Sequence, residues 1–362
     1  MKAVVKTIEP KKGQRVIVIS DIHGNLDVFQ KLLKKVGFCK QDLLILGGDL
    51  IEKGPRNLDT LQYIIELTKT HEVYTILGNC DSALLSLLKP EENERLKAYL
   101  KRRFSTIHEM YQKLGYEIDD TTDMAVLKRR LCENYHEEIM WISQLPHILI
   151  AGNYYFVHAG LKSENLSENS MQDVIREDAF LNKDHKFLHT VVVGHMPVVL
   201  YDEHTLQCNP IFDRSKNIIS MDGGNVLQVD GQLNALIIDD VWSDRVTYES
   251  ADSLPKAIIK ESRRPKEPQN SVNIRWNDGE VEVIKQESDF SYCRHCSTGH
   301  ELWILNEFLY QSDGVTCAEE GTDYLLPVEE GDEVSVVRET SRGYLVKKAG
   351  IVGWYDGTLS WS

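Results

Sequence analysis

Short apolar runs alternate with amphipathic stretches from Arg15 to about Asp240. The runs Arg15–Ser20, Leu43–Gly48, Val73–Gly78, Tyr154–His158, Thr190–Gly194, Ile218–Met221 and Leu233–Ile238 have the length and composition of strands. Apolar positions three and four apart predict helices over Leu26–Val36 and Leu58–Thr68, each lying between two of those strands. Strand, helix and strand in that rhythm predict βαβ units and a partly parallel sheet. The later strands follow one another without full helices, which predicts a second sheet of antiparallel or mixed pairing. Ser82 to Leu145, dense in Leu, Lys, Arg and Glu, interrupts the rhythm and reads as a helical insertion above the sheet edge. Its basic cluster Lys101, Arg102 and Arg103 reads as a solvated helix face.

The pattern changes after residue 250. Ser253 to Asn270 carries Pro255, Arg263, Arg264, Pro265 and Pro268 with few large apolar residues, the composition of a linker. Ser271–Gln286 alternates like strands around the turn Asn277-Asp278-Gly279. The remainder is rich in Val, Tyr, Trp, Gly and Asp without a helical period, and reads as a small all-β barrel. The expected division is a body of residues 1–250 with the insertion at 82–145, a linker at 251–270, and a β-rich region at 271–362 with the barrel at 302–362.

A chain of 362 residues exceeds one typical domain. No apolar run reaches the ~18–20 residues needed to span a bilayer. Met1 to Pro10 lacks the apolar core and cleavage site of a signal peptide, so the expected setting is cytoplasmic. The seven cysteines, Cys39, Cys80, Cys132, Cys208, Cys293, Cys296 and Cys317, are scattered and odd in number, which argues for reduced thiols. A net charge of −15 argues against nucleic acid or an anionic membrane as partner. It would also repel a phosphorylated substrate unless bound divalent cations invert the field at the site.

The candidate chemistry lies at the strand ends. Val16-Ile17-Val18-Ile19-Ser20 runs into Asp21-Ile22-His23-Gly24, and residues two apart in extended chain point to one side. The second strand ends in Gly47-Gly48-Asp49 and the third in Gly78-Asn79-Cys80-Asp81. The fourth delivers Val157-His158-Ala159-Gly160 and the fifth Val193-Gly194-His195. Each strand hands a metal-competent side chain to one edge, the carboxyl edge where sites form in open α/β sheets. Asp, Asn and His make a nitrogen and oxygen set suited to Mn²⁺, Fe or Zn²⁺. Two such cations, about 3.5–4 Å apart, need a bridging carboxylate and can hold a water as hydroxide for attack on phosphorus.

The order Asp-x-His-Gly, Gly-Asp, Gly-Asn, His-Ala-Gly, Gly-His resembles the calcineurin-like metallophosphoesterases over residues 15–240. Within them it is closest to bacterial members of the phosphoprotein phosphatase branch, which include serine/threonine phosphatases and symmetrical dinucleoside tetraphosphatases. The resemblance implies two packed mixed β-sheets flanked by helices. It also implies that Asp21 and His23 bind a first metal, that Asp49 bridges both, and that Asn79, His158 and His195 complete the second. Arg176, in Ile175-Arg176-Glu177-Asp178, stands where such enzymes carry a phosphate-binding arginine. The implied activity is hydrolysis of phosphate monoesters, as in a serine/threonine protein phosphatase, with a phosphorylated protein or a nucleotide as substrate. The alternative is a dinucleoside polyphosphate hydrolase. A rival of another class is a catalytically weakened scaffold that binds partners through the barrel.

This chain departs from the pattern at three adjacent places. Gly48-Asp49-Leu50-Ile51-Glu52-Lys53-Gly54 replaces the family's Gly-Asp-x-x-Asp-Arg-Gly, and Cys80 replaces a histidine. In the family that histidine, oriented by the missing aspartate, protonates the leaving oxygen. Glu52 and Cys80 are therefore expected beside Asp49 and Asn79 at the reacting centre, and Lys53 beside Arg176 on phosphate. Lys cannot form the bidentate fork of arginine. Cys80 is a weak substitute for a histidine acid, which favours leaving groups that need little protonation, such as a phosphate of an anhydride.

Leu326 to Val334, then Val336-Val337, Ser341 to Val346 and Gly350 to Tyr355 resemble a Src-homology-3-type barrel. Tyr310, Tyr344, Trp354 and Tyr355 supply part of an aromatic groove for a peptide partner, while a structural appendage is the plainer reading. Cys293-x-x-Cys296 with His295 and His300 lacks the second half of a structural zinc site.

Overall fold

The computed structural model describes residues 1–266 and 268–361. The chain forms two compact units, Met1–Pro197 with Pro210–Asp252, and Val198–Asn209 with Ser253–Ser362.

The first unit opens with β1 (Val5–Ile8), β2 (Val16–Ile19), α1 (Leu26–Lys35), β3 (Leu43–Leu46), α2 (Asn57–Thr70) and β4 (Glu72–Thr75). A 3₁₀ segment over Asp81–Leu88 leads into α3 (Asn93–Leu100), α4 (Thr106–Lys113), α5 (Met124–Asn134) and α6 (His136–Ser143), helices joined by non-helical stretches at 101–105 and 114–123. Then come β5 (Ile148–Ala151), β6 (Tyr154–Val157), α7 (Met171–Arg176) and β7 (Thr190–Val193). After β8 (Leu206–Gln207), part of the second unit, follow β9 (Ile211–Asp213), β10 (Ile218–Ser220), β11 (Leu233–Ile238) and β12 (Val246–Ala251).

Two sheets result, ordered β12-β11-β2-β3-β4 and β1-β5-β6-β7-β10-β9. In the first, β2, β3 and β4 are parallel and β11 and β12 antiparallel; the second mixes parallel and antiparallel pairs. The alternation along each strand sorts the core into two layers. Val16, Val18, Leu43 and Ile45 pack with Leu149, Phe156 and Val192 of the other sheet. Ile17, Ile19, Leu44 and Leu46 pack with Phe29 and Leu32 of α1 and Leu61 and Ile64 of α2. These are the two packed mixed sheets with flanking helices that the family resemblance implies.

Most of the predicted strands end one to three residues early in the structure, and positive φ at Asp21 (φ 58), Gly48 (φ 89) and His195 (φ 69) marks where the chain turns after β2, β3 and β7. β1, β5, β9 and β12 carry no clear apolar alternation or lie beside better runs, and the apolar pattern did not reveal them.

The second unit is all-β apart from short 3₁₀ turns. Its six-stranded sheet runs Leu359–Trp361, Lys256–Ile259, Glu333–Thr340, Gly343–Lys348, Ile351–Tyr355 and β8. Residues 251–270, expected as a linker, thus hold a sheet strand, and the sheet draws two strands from outside 302–362. Asn273–Arg275 pairs with Glu320–Thr322 and Val281–Gln286 with Phe290–His295, so the Asn277-Asp278-Gly279 turn does not join a hairpin. Of the four aromatic residues expected to form a groove, Trp354 lines the aromatic cavity, and its other aromatic walls come from residues outside that set. A cavity of about 320 Å³ is lined by Phe290, Tyr292, Trp303 and Trp354, with the Arg342 guanidinium 3.7 Å from the Trp303 ring centre. Tyr355 is buried, its hydroxyl donating to the Glu261 carbonyl at 3.0 Å. Around Cys293 and Cys296 no three-donor metal group exists among the described residues; His295 Nε2 lies 2.9 Å from the Asp278 carbonyl instead.

Candidate metal centre

The carboxyl ends of β2, β3, β6, β7 and β10 and the loop after β4 bring Asp21, Asp49, His158, His195, Asp222 and Asn79 to one end of the sandwich. Backbone bonds lock the loops together: Asp21 N–H donates to the Gly48 carbonyl, His23 N–H to Asp49 and Gly24 N–H to Leu50, at 2.9–3.0 Å. Asp21, His23, Asp49, Glu52, Lys53 and His195 all have positive φ. Non-glycine residues held there are strained, and such strain clusters at functional sites. Gly78 is obligatory for a local reason: a Cβ there would overlap the Asp49 backbone nitrogen and carboxylate.

Two donor groups emerge among the described residues. His23, Asp49 and Cys80 form one and Asp49, His158 and His195 the other, the donor atoms of each lying within 4.8 Å of one another. Asp49 belongs to both, as a bridging carboxylate would. Asn79 Oδ1 stands 2.9 Å from His158 Nε2. Asp21 belongs to neither group. Its carboxylate accepts the His195 N–H at 3.1 and 3.2 Å and the Ser20 hydroxyl at 2.5 Å.

These residues fit cations. His158 Nδ1 faces the Gly47 carbonyl at 2.9 Å, an acceptor only, so Nδ1 carries the proton. Burial lowers the ring's pKa to about 4, leaving it neutral. Its bare Nε2 then points at Asn79 Oδ1 and, 3.3 Å away, at Asp49 Oδ1. Three electron-rich atoms face one another, an arrangement a cation resolves. His23 is also buried, with its pKa lowered to about 4 by burial, and neither ring nitrogen has a hydrogen-bond partner.

The carboxylates are crowded. Burial raises Asp21, reinforced by the charges of Asp222 and Asp49. Burial would also raise Asp49, but the His158 and His23 rings hold it well below the usual range. Burial, with Asp49 nearby, pushes Cys80 up.

Two further carboxylates contribute: Asp81, which the third motif carries without a role, and Asp222, just after β10. Asp81 accepts from Gly78 N–H at 2.9 Å, Leu50 N–H at 2.8 Å and Ile51 N–H at 3.2 Å, tying the second loop to the third. Burial and the Asp49 charge raise its pKa to about 8. Asp222 accepts the Gly224 N–H at 2.8 Å and is raised to about 7 by burial. The signal available was an acidic residue directly after an apolar strand, as for Asp49.

Glu52 is elsewhere than expected. It is buried against the helical insertion, accepting the Tyr99 hydroxyl at 2.6 Å and the Thr106 N–H at 3.0 Å. Lys53, Asn79, Cys80 and Arg176 do come together, lining a cleft of about 440 Å³. The insertion adds Arg95, Tyr99 and Arg103 to its wall, so the basic cluster read as a solvated face contributes one residue to the cleft. Among the described residues Lys53, Arg95, Arg103 and Arg176 have no acidic partner in an ion pair, and Lys89 at the rim pairs with Glu92.

A profile of the calcineurin-like phosphoesterases matches residues 14–217, and the chain belongs to that family. Calcineurin-like phosphoesterases are metal-dependent phosphohydrolases that use two divalent metal ions. Among curated relatives, a symmetrical bis(5'-nucleosyl)-tetraphosphatase of Vibrio parahaemolyticus is 30% identical over 149 residues, covering 41% of this chain and 45% of its own. One from Nitrosococcus oceani is 41% identical over 73 residues, covering 20% and 26%. The chain thus spans about half or less of the length of the curated relatives it matches. Among solved structures, a putative diadenosine tetraphosphatase is 22% identical with a TM-score of 0.44, covering 69% of this chain and 99% of its own. A protein serine/threonine phosphatase from Saccharomyces cerevisiae is 11% identical with a TM-score of 0.44, covering 70% and 85%. No helix among the described residues is long and apolar enough to cross a membrane.

Proposed function

We propose that residues 1–250 form a two-metal phosphohydrolase that prefers phosphoanhydrides of the dinucleoside polyphosphate class. The observation that carries this reading is the cleft beside the donor groups, where Lys53, Arg95, Arg103 and Arg176 converge from three segments of an acidic chain. One phosphoryl group does not need four cations; a polyphosphate spreads its charge over them.

Bound Mn²⁺, Fe²⁺ or Zn²⁺ would supply positive charge and lower the pKa of the attacking water. Asp21, His23, Asp49, Asn79, His158 and His195 are the proposed ligands, and Asp21 also accepts the His195 backbone N–H. Asp81 holds Asp49's loop against Asn79's. Arg176 and Lys53 neutralise phosphoryl oxygens as charge shifts in the transition state. Cys80 lies where the family places its proton donor, and a thiol is a poor acid for a serine alkoxide. An expelled phosphate needs little protonation. The curated relatives the chain matches are symmetrical bis(5'-nucleosyl)-tetraphosphatases, in agreement with this substrate class.

Phosphomonoester hydrolysis on a protein is the second reading, favoured by the exposure of all four cations, which leaves the cleft accessible to a large substrate. Initial rates with Mn²⁺ on a dinucleoside tetraphosphate and on a phosphoserine peptide separate the two. The anhydride should be preferred, and Arg103→Ala should lower its kcat/KM by roughly tenfold while changing turnover of a small aryl phosphate little. Preference for the peptide would overturn the proposal, and no turnover of either would favour a scaffold.

A further inference from the structure

The ligand set implied by the family pairs His23 with Asp21 on the first cation. This structure adds a further donor. The Asp21 carboxylate accepts the His195 N–H and the Ser20 hydroxyl, and the sulfur of Cys80 lies within reach of the His23 and Asp49 donors. His23 Nε2 lies 3.8 Å from Asp49 Oδ2. Donors about 2.0–2.3 Å from one zinc ion in tetrahedral array stand roughly 3.3–3.8 Å apart, so the His23–Asp49 pair already has that spacing. The 4.8 Å limit on the whole triad leaves a small side-chain closure for Cys80.

The sulfur is held in place. Cys80 N–H donates to Asp49 Oδ1 at 2.8 Å, and Asn79 Nδ2 approaches Sγ at 3.5 Å. Asp81, next in sequence, pins the same loop to Leu50 and Ile51. Cys80 is nine-tenths buried, and the buried His23 ring beside it has two nitrogens without partners. Among the described residues no other cysteine joins a three-donor group.

We propose that Cys80 is a direct ligand of the His23–Asp49 cation and makes that position selective for a thiophilic ion, Zn²⁺ over Mn²⁺. The position built on Asp49, His158 and His195 keeps harder nitrogen and oxygen donors. Thiolate ligands select zinc, whereas carboxylate and carbonyl oxygens suit manganese. The thiol proton passes to solvent as the ion binds. The inference rests on the metal-site reading above but not on the substrate.

The test uses the full chain loaded with zinc, read by X-ray absorption and by Zn²⁺/Mn²⁺ competition rather than by turnover. One sulfur at about 2.3 Å should appear per two zinc ions and vanish in Cys80→Ser. The serine variant should also lose at least tenfold in preference for Zn²⁺ over Mn²⁺. His158→Ala should lose one ion yet keep the sulfur. Two bound zinc ions with only nitrogen and oxygen neighbours in the unaltered protein, or a sulfur signal that survives Cys80→Ser, would overturn the proposal. A chain that binds no metal would overturn the site reading itself, and this inference with it.

Discussion

Glu52 offers the sharpest separation of a structural from a catalytic role. Its carboxylate is buried, with the Tyr99 hydroxyl at 2.6 Å and the Thr106 N–H at 3.0 Å as partners. Hydrogen bonds to a charged group contribute about 1.5–3 kcal/mol each, and burying the carboxylate offsets part of that, so Glu52→Ala should cost about 3 kcal/mol. For a unit of this size that lowers the melting midpoint by roughly 6–12 °C. Glu52→Gln keeps an acceptor for Thr106 and a donor for the Tyr99 oxygen, and should lose no more than about 1 kcal/mol. Burial raises the Glu52 pKa, so its protonated form is favoured in the fold. The wild type is therefore relatively most stable below the unfolded value and loses ground to the glutamine variant as pH rises through the folded value. Thermal melts of both variants from acid to neutral pH, with turnover on a small aryl phosphate, test this. Glu52→Gln melting like the wild type but without activity would refute the structural role and return Glu52 to the chemistry.

Gly78→Ala should displace Asp49, since the new Cβ would fall 2.9 Å from its Cα and overlap its carboxylate; calorimetric titration should find metal affinity lowered at least tenfold. Removing metal with a chelator should abolish turnover and lower the melting midpoint, because Asp21, Asp49 and Asp222 are then left crowded without a cation; an unchanged midpoint would argue against the site. Asp42 accepts both arms of Arg15 at 2.8 and 2.6 Å and the Cys39 N–H at 2.8 Å. Burial opposes its ionisation, yet those partners hold its pKa below the ordinary value. Its stabilisation is present above the unfolded value near ~3.9 and is lost as pH falls through the folded one. Urea midpoints of wild type and Asp42→Asn should therefore differ at neutral pH and converge in acid.

The arrangement of donors was legible because the sequence carries it locally. An apolar run, a glycine and then Asp, Asn or His place a side chain at a strand's carboxyl end whatever the rest of the chain does, and Asp49, Asn79, His158 and His195 need no more than that to be found. The alternation of Val16 and Val18 with Ile17 and Ile19 likewise marks both layers of the core. What those residues touch was not legible, since it depends on contacts between distant segments. Glu52 meets Tyr99 and Thr106 across 47 and 54 positions of chain. Arg95 and Arg103 reach the cleft only because the helices of the insertion fold over it. In the second unit, Lys256–Ile259 and β8 find their sheet partners far along the chain, where pairing is decided by register and not by composition. Even Asp21, the first residue the motif singles out, has its carboxylate bound by the backbone of His195, 174 positions away. Local pattern determines which side chains reach the sheet edge, and the packing of the two sheets decides which of them face one another.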